Sequence, residues 1–221
     1  MVTGSDERAG HEGQRIPEGV IERLPIYLSA LIQLRKVGQR TVSSAGLGEL
    51  TDTNPAQIRR DLSHFGSLGR RGIGYEVKAL ANRIQHILGS DHTHRLALVG
   101  AGNLGAAIVN YDGLRGHGFL VTAVFDSDPA KIGTTIGDTV VRPVSELDRL
   151  ARKQGIRIGI VAVPPDAAQE VTDQLVLAGV AIILNYTPSL VRVPEGVKLY
   201  NTDPVRELLH TLYYMSRREG V

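Results

Sequence analysis

Apolar positions in the first third of the chain fall into helical spacing. Between Ile16 and Val37, Val20, Ile21, Leu24, Tyr27, Leu28, Leu31, Ile32 and Leu34 recur at three- and four-residue steps, which predicts an amphipathic helix. Pro25 is expected to kink that helix or displace its start, because proline has no N–H to bond back along the axis. A short second helix is predicted over Ser44–Leu50, opened by serines that can cap free amide groups. Asn54-Pro55 then signals a third over Pro55–Ser63: asparagine caps, and the missing N–H of proline costs nothing at the first helical position. Phe65–Tyr75 is glycine-rich with Arg70-Arg71 in its middle, the composition of a two-stranded ribbon with a tight tip. Helix, helix, turn, helix and ribbon make a winged-helix unit, assigned to residues 16–78. Residues 1–15 are polar and are expected to form a disordered tail.

Val77–Leu88 is again helical in period, and Gly89-Ser90-Asp91 breaks it. Beyond this point apolar runs (Leu96–Val99, Val121–Phe125, Ile158–Val163, Ala181–Leu184) alternate with helical segments (Asn103–Tyr111, Ser145–Gln154, Pro165–Ala178). Strands with so few polar residues are covered on both faces, so the pattern predicts an α/β fold with a parallel sheet of Rossmann type, assigned to 79–203. The last segment, 204–221, places Val205, Leu208, Leu209, Leu212 and Met215 on one helical face. That face is expected to dock on its own domain or on a second subunit, and the period alone leaves both open.

Composition narrows the function classes. At 42% hydrophobic residues the chain can build real cores. No apolar run approaches the roughly 20 residues of a membrane span, and the N-terminus lacks the apolar stretch of a secretory signal, so a soluble cytoplasmic protein is expected. Cysteine is absent, which excludes disulfides, thiolate metal sites, iron–sulfur clusters and thiol-based redox sensing. If the protein senses redox state, a bound ligand must report it. The net charge is only +2, but between Gln33 and Lys78 eight Lys/Arg stand against four Asp/Glu, a local excess suited to phosphate contacts.

The most specific motif is Gly100-Ala101-Gly102-Asn103-Leu104-Gly105, directly after an apolar strand and opening a helix. In that context Gly100 permits the tight turn, Gly102 lets a pyrophosphate approach the backbone, and Gly105 lets helix and strand lie close. The helix N-terminus adds free N–H groups and a positive dipole. Asp126 closes the next strand about 20 residues on, where a carboxylate accepts hydrogen bonds from the adenosine ribose and repels a 2′-phosphate. This favours NADH and NAD+ over their phosphorylated forms, although Asp128, Lys131 and Arg142 lie nearby and the two cations pull the other way. Val163-Pro164 and Asn185 end later strands at the edge where ligands of such sheets sit, so they are candidates for the nicotinamide half; strand-ending proline and asparagine are also ordinary turn formers.

No catalytic residue is assigned. A dehydrogenase needs a placed acid or base beside the hydride acceptor, and the histidines lie in the head, the linker, surface-like loops or the terminal helix without a carboxylate partner. None has the spacing of a metal site, so no metal is expected.

Taken together, Pro55–Gly66, Gly69–Tyr75, Val99–Gly105, Phe125–Gly133 and Val163–Gln169 resemble the Rex family of bacterial redox-sensing transcriptional repressors, and the resemblance runs from about Ile16 to Tyr214. It implies a homodimer whose terminal helices swap between subunits, operator DNA bound when NAD+ dominates, and release by NADH. It places Arg59, Arg60, Ser63, Phe65 and Gly66 at the recognition helix, and Arg70, Arg71 and Tyr75 in a wing reaching the minor groove. Arg23 and Asp203 match a state-dependent ion pair between subunits, and Tyr111 a tyrosine that distinguishes cofactor states. Pro204 departs from the aromatic residue that some relatives carry there. Two other readings stay open on the residues alone: an NAD-dependent oxidoreductase with an accessory winged helix, and a CoA- or nucleotide-binding module whose winged helix contacts protein.

Overall fold

The computed structural model describes residues 16–66, 68–70, 72–206, 208–209 and 211–212. The expected tail, Arg71 and Met215 lie outside the described residues. The chain divides between Asp91 and His92 into two units, each with its own interior.

In the first unit, α1 (Glu18–Lys36) buries Val20, Leu24, Tyr27, Leu28 and Leu31. Pro25 lies inside the helix and neither ends it nor sets its start. Its neighbours Ile21 and Ile26 are exposed, so water can serve the carbonyl that proline leaves without a donor. A two-residue strand, β1 (Thr41–Val42), follows, and then α2 (Ser44–Thr51), whose N-cap Ser43 accepts the N–H of Gly46 at 3.0 Å. Next, α3 (Pro55–Ser63) is capped by Asn54, which accepts the N–H of Ala56 at 2.8 Å. The ribbon is β2 (Gly69–Arg70) and β3 (Gly74–Glu76), and β1 completes a three-stranded antiparallel sheet in the order β1-β3-β2. The sequence pattern did not reveal β1, which is too short to show any period.

The next helix, α4 (Val77–Leu88), ends at Gly89, whose φ of +69° is the left-handed geometry of a helix C-cap. It corrects the expected boundary at 78/79. Leu80, Ala81 and Ile84 are buried in the same core as Leu24, Leu28 and Leu31 of α1, because the apolar stripe of α4 needs that partner.

The second unit opens with β4 (His94–Val99), α5 (Asn103–Val109), α6 (Asp112–Gly116) and β5 (Phe119–Asp126). A small edge pair follows, β6 (Thr135–Ile136) and β7 (Thr139–Pro143). After it come α7 (Leu147–Gln154), β8 (Ile158–Val161), α8 (Ala168–Leu177), β9 (Ile182–Asn185) and β10 (Lys198–Asn201). The sheet order is β10-β9-β8-β4-β5-β7-β6, with every pair parallel except β6 with β7. Both faces are covered: Leu96 and Leu98 of β4 enter one core, Ala97 and Val99 the other. From the central β4 the chain first builds outward through β5 and β7, then returns to build the other side through β8, β9 and β10. The crevice beyond the carboxyl ends of β4 and β8 is therefore a topological switch point, where ligands of such sheets bind. Helical turns at 204–206, 208–209 and 211–212 leave Val205, Leu208, Leu209 and Leu212 exposed.

Candidate functional site

A cavity of about 1070 Å³ occupies that crevice. Its floor is the glycine turn, and the close approach of two strand ends decides which residues the turn accepts. Gly100 has φ +106°, and a Cβ there would lie 2.2 Å from the carbonyl oxygen of Ala162 at the end of β8. A Cβ on Gly105 would lie 1.9 Å from the Gly100 carbonyl oxygen, so α5 rests directly on the turn. Gly102 is different: a Cβ there would meet nothing within 4 Å. Its bare backbone faces open space in the cavity wall, which fits a pyrophosphate approaching the start of α5.

Asp126 lies beside this turn and is 7% exposed. Its Oδ2 accepts the N–H of Ala101 at 2.7 Å and the ammonium of Lys131 at 3.2 Å, and its Oδ1 accepts the N–H of Asp128 at 2.9 Å. Burial pushes the carboxyl up, but the two backbone N–H groups and Lys131 outweigh it and hold Asp126 below the ordinary carboxylate range. The residue is ionised at neutral pH, and it ties β5 to the glycine turn.

Gly100, Gly102, Asn103, Leu104, Asp126, Asp128, Lys131, Val163 and Pro164 all line the cavity. Four expected residues do not. Ala101 contributes its N–H to Asp126, and Gly105 packs beneath the turn. Tyr111 is 65% exposed and outside the cavity, with its ring over Gly113, because it stands past the end of α5. Asn185 is fully buried: its Oδ1 accepts the N–H and hydroxyl of Thr187, and its Nδ2 donates to the Ser189 carbonyl and to Asn201 Oδ1. It shapes the loop whose Tyr186, Thr187 and Pro188 line the cavity. The sequence reading missed the opposite wall, where α7 and α8 bring Leu147, Val171 and Leu177 around the space; nothing in their helical period sets them apart from core residues.

In the first unit a groove of about 560 Å³ runs between α3 and the wing, lined by Ser43, Ser44, Arg59, Ser63, Gly66 and Arg70 among others. The guanidinium of Arg59 donates to the Ser44 hydroxyl at 2.8 Å, which holds it over the groove. Ser63 donates its hydroxyl to the Arg60 carbonyl, and Arg60 itself is exposed. Phe65 is buried in the core of the unit and does not line the groove, so it supports the wing from below; Tyr75 is also largely buried in that core but forms part of the groove wall. A Cβ on Gly69 would lie 2.9 Å from the Tyr75 ring, which shows how closely the ribbon lies on it.

Behind α3, Asp61 is 1% exposed and accepts four hydrogen bonds: from Arg23 Nε at 2.6 Å, Arg23 Nη2 at 2.9 Å, the Tyr27 hydroxyl at 2.7 Å and Gln57 Nε2 at 2.7 Å. The bidentate pair fixes α3 on α1. Burial lifts the Asp61 carboxyl, and the donors, Arg23 first, bring it below its usual range. Burial, together with donation to Asp61, pushes the Tyr27 hydroxyl up to about 12. Arg23 is therefore engaged within its own unit, while Asp203, the expected partner, accepts the N–H of Val205 at 3.0 Å. Tyr27 and Arg23 lie 34 and 38 residues from Asp61 in sequence, and no local signal announces their meeting.

Among the described residues no helix is long and apolar enough to cross a membrane, and no group of three or more metal-binding side chains occurs.

Comparison with known proteins follows the same division. Residues 15–63 match a family described as "Putative DNA-binding protein N-terminus", and residues 91–189 one described as "CoA binding domain". A redox-sensing transcriptional repressor Rex from Roseiflexus sp. (strain RS-1) is 47% identical over 91% of this chain and 91% of its own. The crystal structure of RSP in complex with beta-NAD+ and operator DNA superposes with a TM-score of 0.82 at 37% identity, covering 94% of this chain and 95% of the other. That of RSP in complex with beta-NADH gives 0.79 at 36%, covering 94% and 97%. The chain thus belongs to the Rex family of redox-sensing transcriptional repressors.

Proposed function

We propose that this protein is a cytoplasmic, homodimeric repressor that binds palindromic operator DNA when NAD+ dominates and is released when NADH fills the cavity of its second unit. The observation that carries the reading is the open backbone of Gly102 beside the ionised, hydrogen-bonded Asp126 at the switch point of the sheet. The residues fit the coenzyme: the turn 100–105 and the start of α5 would hold the pyrophosphate, Asp126 the ribose, and the cavity-lining Val163, Pro164 and Thr187 would face the nicotinamide half. The bound coenzyme here serves as a signal. Arg59 and Arg60 on α3 and Arg70 on the wing supply cations for base edges and phosphates, and α3 is held in place by Asp61.

A two-fold dimer would set two such heads about 34–36 Å apart on one face of the duplex. NADH and operator then oppose each other through one reciprocal coupling free energy, of about 1–3 kcal/mol, or roughly 5–150-fold in operator affinity. The test is a mobility-shift titration of a palindromic promoter fragment with NAD+, with NADH and with neither. NADH is expected to weaken the shift; an unchanged shift at saturating NADH overturns the reading. Turnover of carbonyl compounds with NADH at ordinary enzyme rates would instead mark an oxidoreductase, and tight CoA binding without NADH binding a CoA-responsive module.

A further inference from the structure

We propose that the Asn185–Asn201 side-chain bridge carries the state of the coenzyme cavity to the segment that begins at Asp203. This rests on the repressor reading above and names the element that transmits its signal.

Asn185 ends β9 between β8 and β10, in register with Val161 and Asn201. Its side-chain oxygen holds the backbone N–H of Thr187 at 3.0 Å and the Thr187 hydroxyl at 2.8 Å, and its amide donates to the Ser189 carbonyl at 2.8 Å. Three of its four side-chain contacts therefore clamp the loop whose Thr187 and Pro188 form cavity wall. The fourth leaves the loop: Nδ2 donates to Asn201 Oδ1 at 2.9 Å. The Asn185 carbonyl also accepts the N–H of Thr202 at 2.8 Å. Asp203 comes next and caps the helical turns at 204–206 through Val205.

The bridge is thus short and fully satisfied, running from the cavity wall through one buried amide to Asn201 and on to Asp203. A buried amide with every site engaged is stiff, since shifting one partner leaves another unpaired at a cost. If ligand moves the 186–189 loop, the amide must turn with it, and its outer partner on β10 must follow or lose its bond. Asn201 is exposed and outside the cavity, so it acts on the signal through Asn185 as a positioning residue.

The experiment uses the full chain with Asn201→Ala and Asn201→Asp. Alanine removes the acceptor; aspartate restores one at the same place. Three quantities are read: NADH affinity by calorimetry, melting temperature, and the ratio of operator affinities without and with NADH. Asn201→Ala is expected to leave NADH affinity and melting temperature close to wild type while the ratio falls by roughly 2–30-fold, with recovery in Asn201→Asp. An unchanged ratio in Asn201→Ala, or a fall matched by lost NADH affinity, overturns the bridge while the sensor reading stands. A wild-type ratio of one overturns both.

Discussion

The carboxylate of Asp126 accepts the backbone N–H of Ala101 at 2.7 Å, so the end of β5 and the glycine turn after β4 form one hydrogen-bonded unit. The acid proposed to hold the ribose is also a strut of the glycine turn. Changing it disturbs two parts of the site together. Asp126→Asn is therefore expected to weaken NADH binding by about 10–150-fold, the value of one charged hydrogen bond of roughly 1.5–3 kcal/mol. Calorimetric titration checks this, and a normal affinity would remove Asp126 from the site.

The glycines of the turn should separate binding from folding. Gly102→Ala adds a methyl to open space, so the protein should melt near the wild-type temperature yet bind NADH at least about tenfold more weakly, because the methyl stands where phosphate approaches. Gly105→Ala drives its Cβ against the Gly100 carbonyl oxygen and should lose about 3 kcal/mol of stability or more. Equal melting temperatures for the two variants would contradict the geometry.

The helix bounds in the first unit that carry a local signal were legible in the chain, as the serines opening α2 show. Asn54-Pro55 places the start of α3, and Gly89 the end of α4. The parallel sheet and its glycine turn were legible for a similar reason, since apolar runs and the turn composition are written in consecutive residues. What failed was long-range. Two-residue β1 and β6, together with β10 with its polar Lys198 and Asn201, exist because a neighbouring strand offers an edge, not because their own residues demand it. Phe65 and Tyr75 stand among glycines and arginines that read as surface, and only packing reveals that their rings point into the core.

That correction has a direct test. Phe65→Ala is expected to cost about 3–5 kcal/mol of stability in the first unit, as for other buried aromatic truncations. Denaturant unfolding of the full chain would show it as a displaced transition of the first unit. A variant that melts normally but binds operator poorly would return Phe65 to the DNA-facing set.

Asp61 should leave a mark in acid. Its folded pKa lies below the ordinary 3.8, so its stabilisation is fully present above that value and is lost as pH falls through the folded pKa. Asp61→Asn should accordingly be less stable than wild type at pH 7, and the gap should narrow as the pH falls below 3.8. Asp61→Ala leaves Arg23 without its buried partner and is expected to cost about 3 kcal/mol at pH 7. Melting curves across pH settle the sign.

On the groove, Arg59→Ala is expected to weaken operator binding by about 1–3 kcal/mol with NADH affinity retained. Ser44→Ala, which only frees the guanidinium that Ser44 holds at 2.8 Å, should weaken it less. Mobility shifts with both variants rank the two contributions, and a larger loss for Ser44→Ala would reverse the assignment.

The shared interior of α1 and α4 also bears on where this chain can be cut or spliced. A fragment that stops at Lys78 would strip the cover from Leu24, Leu28 and Leu31 and display a greasy seam prone to clumping. Any exchange of reading heads, in the laboratory or in the history of the gene, works only with the joint placed after Leu88, so that the helix travels with the head it roofs.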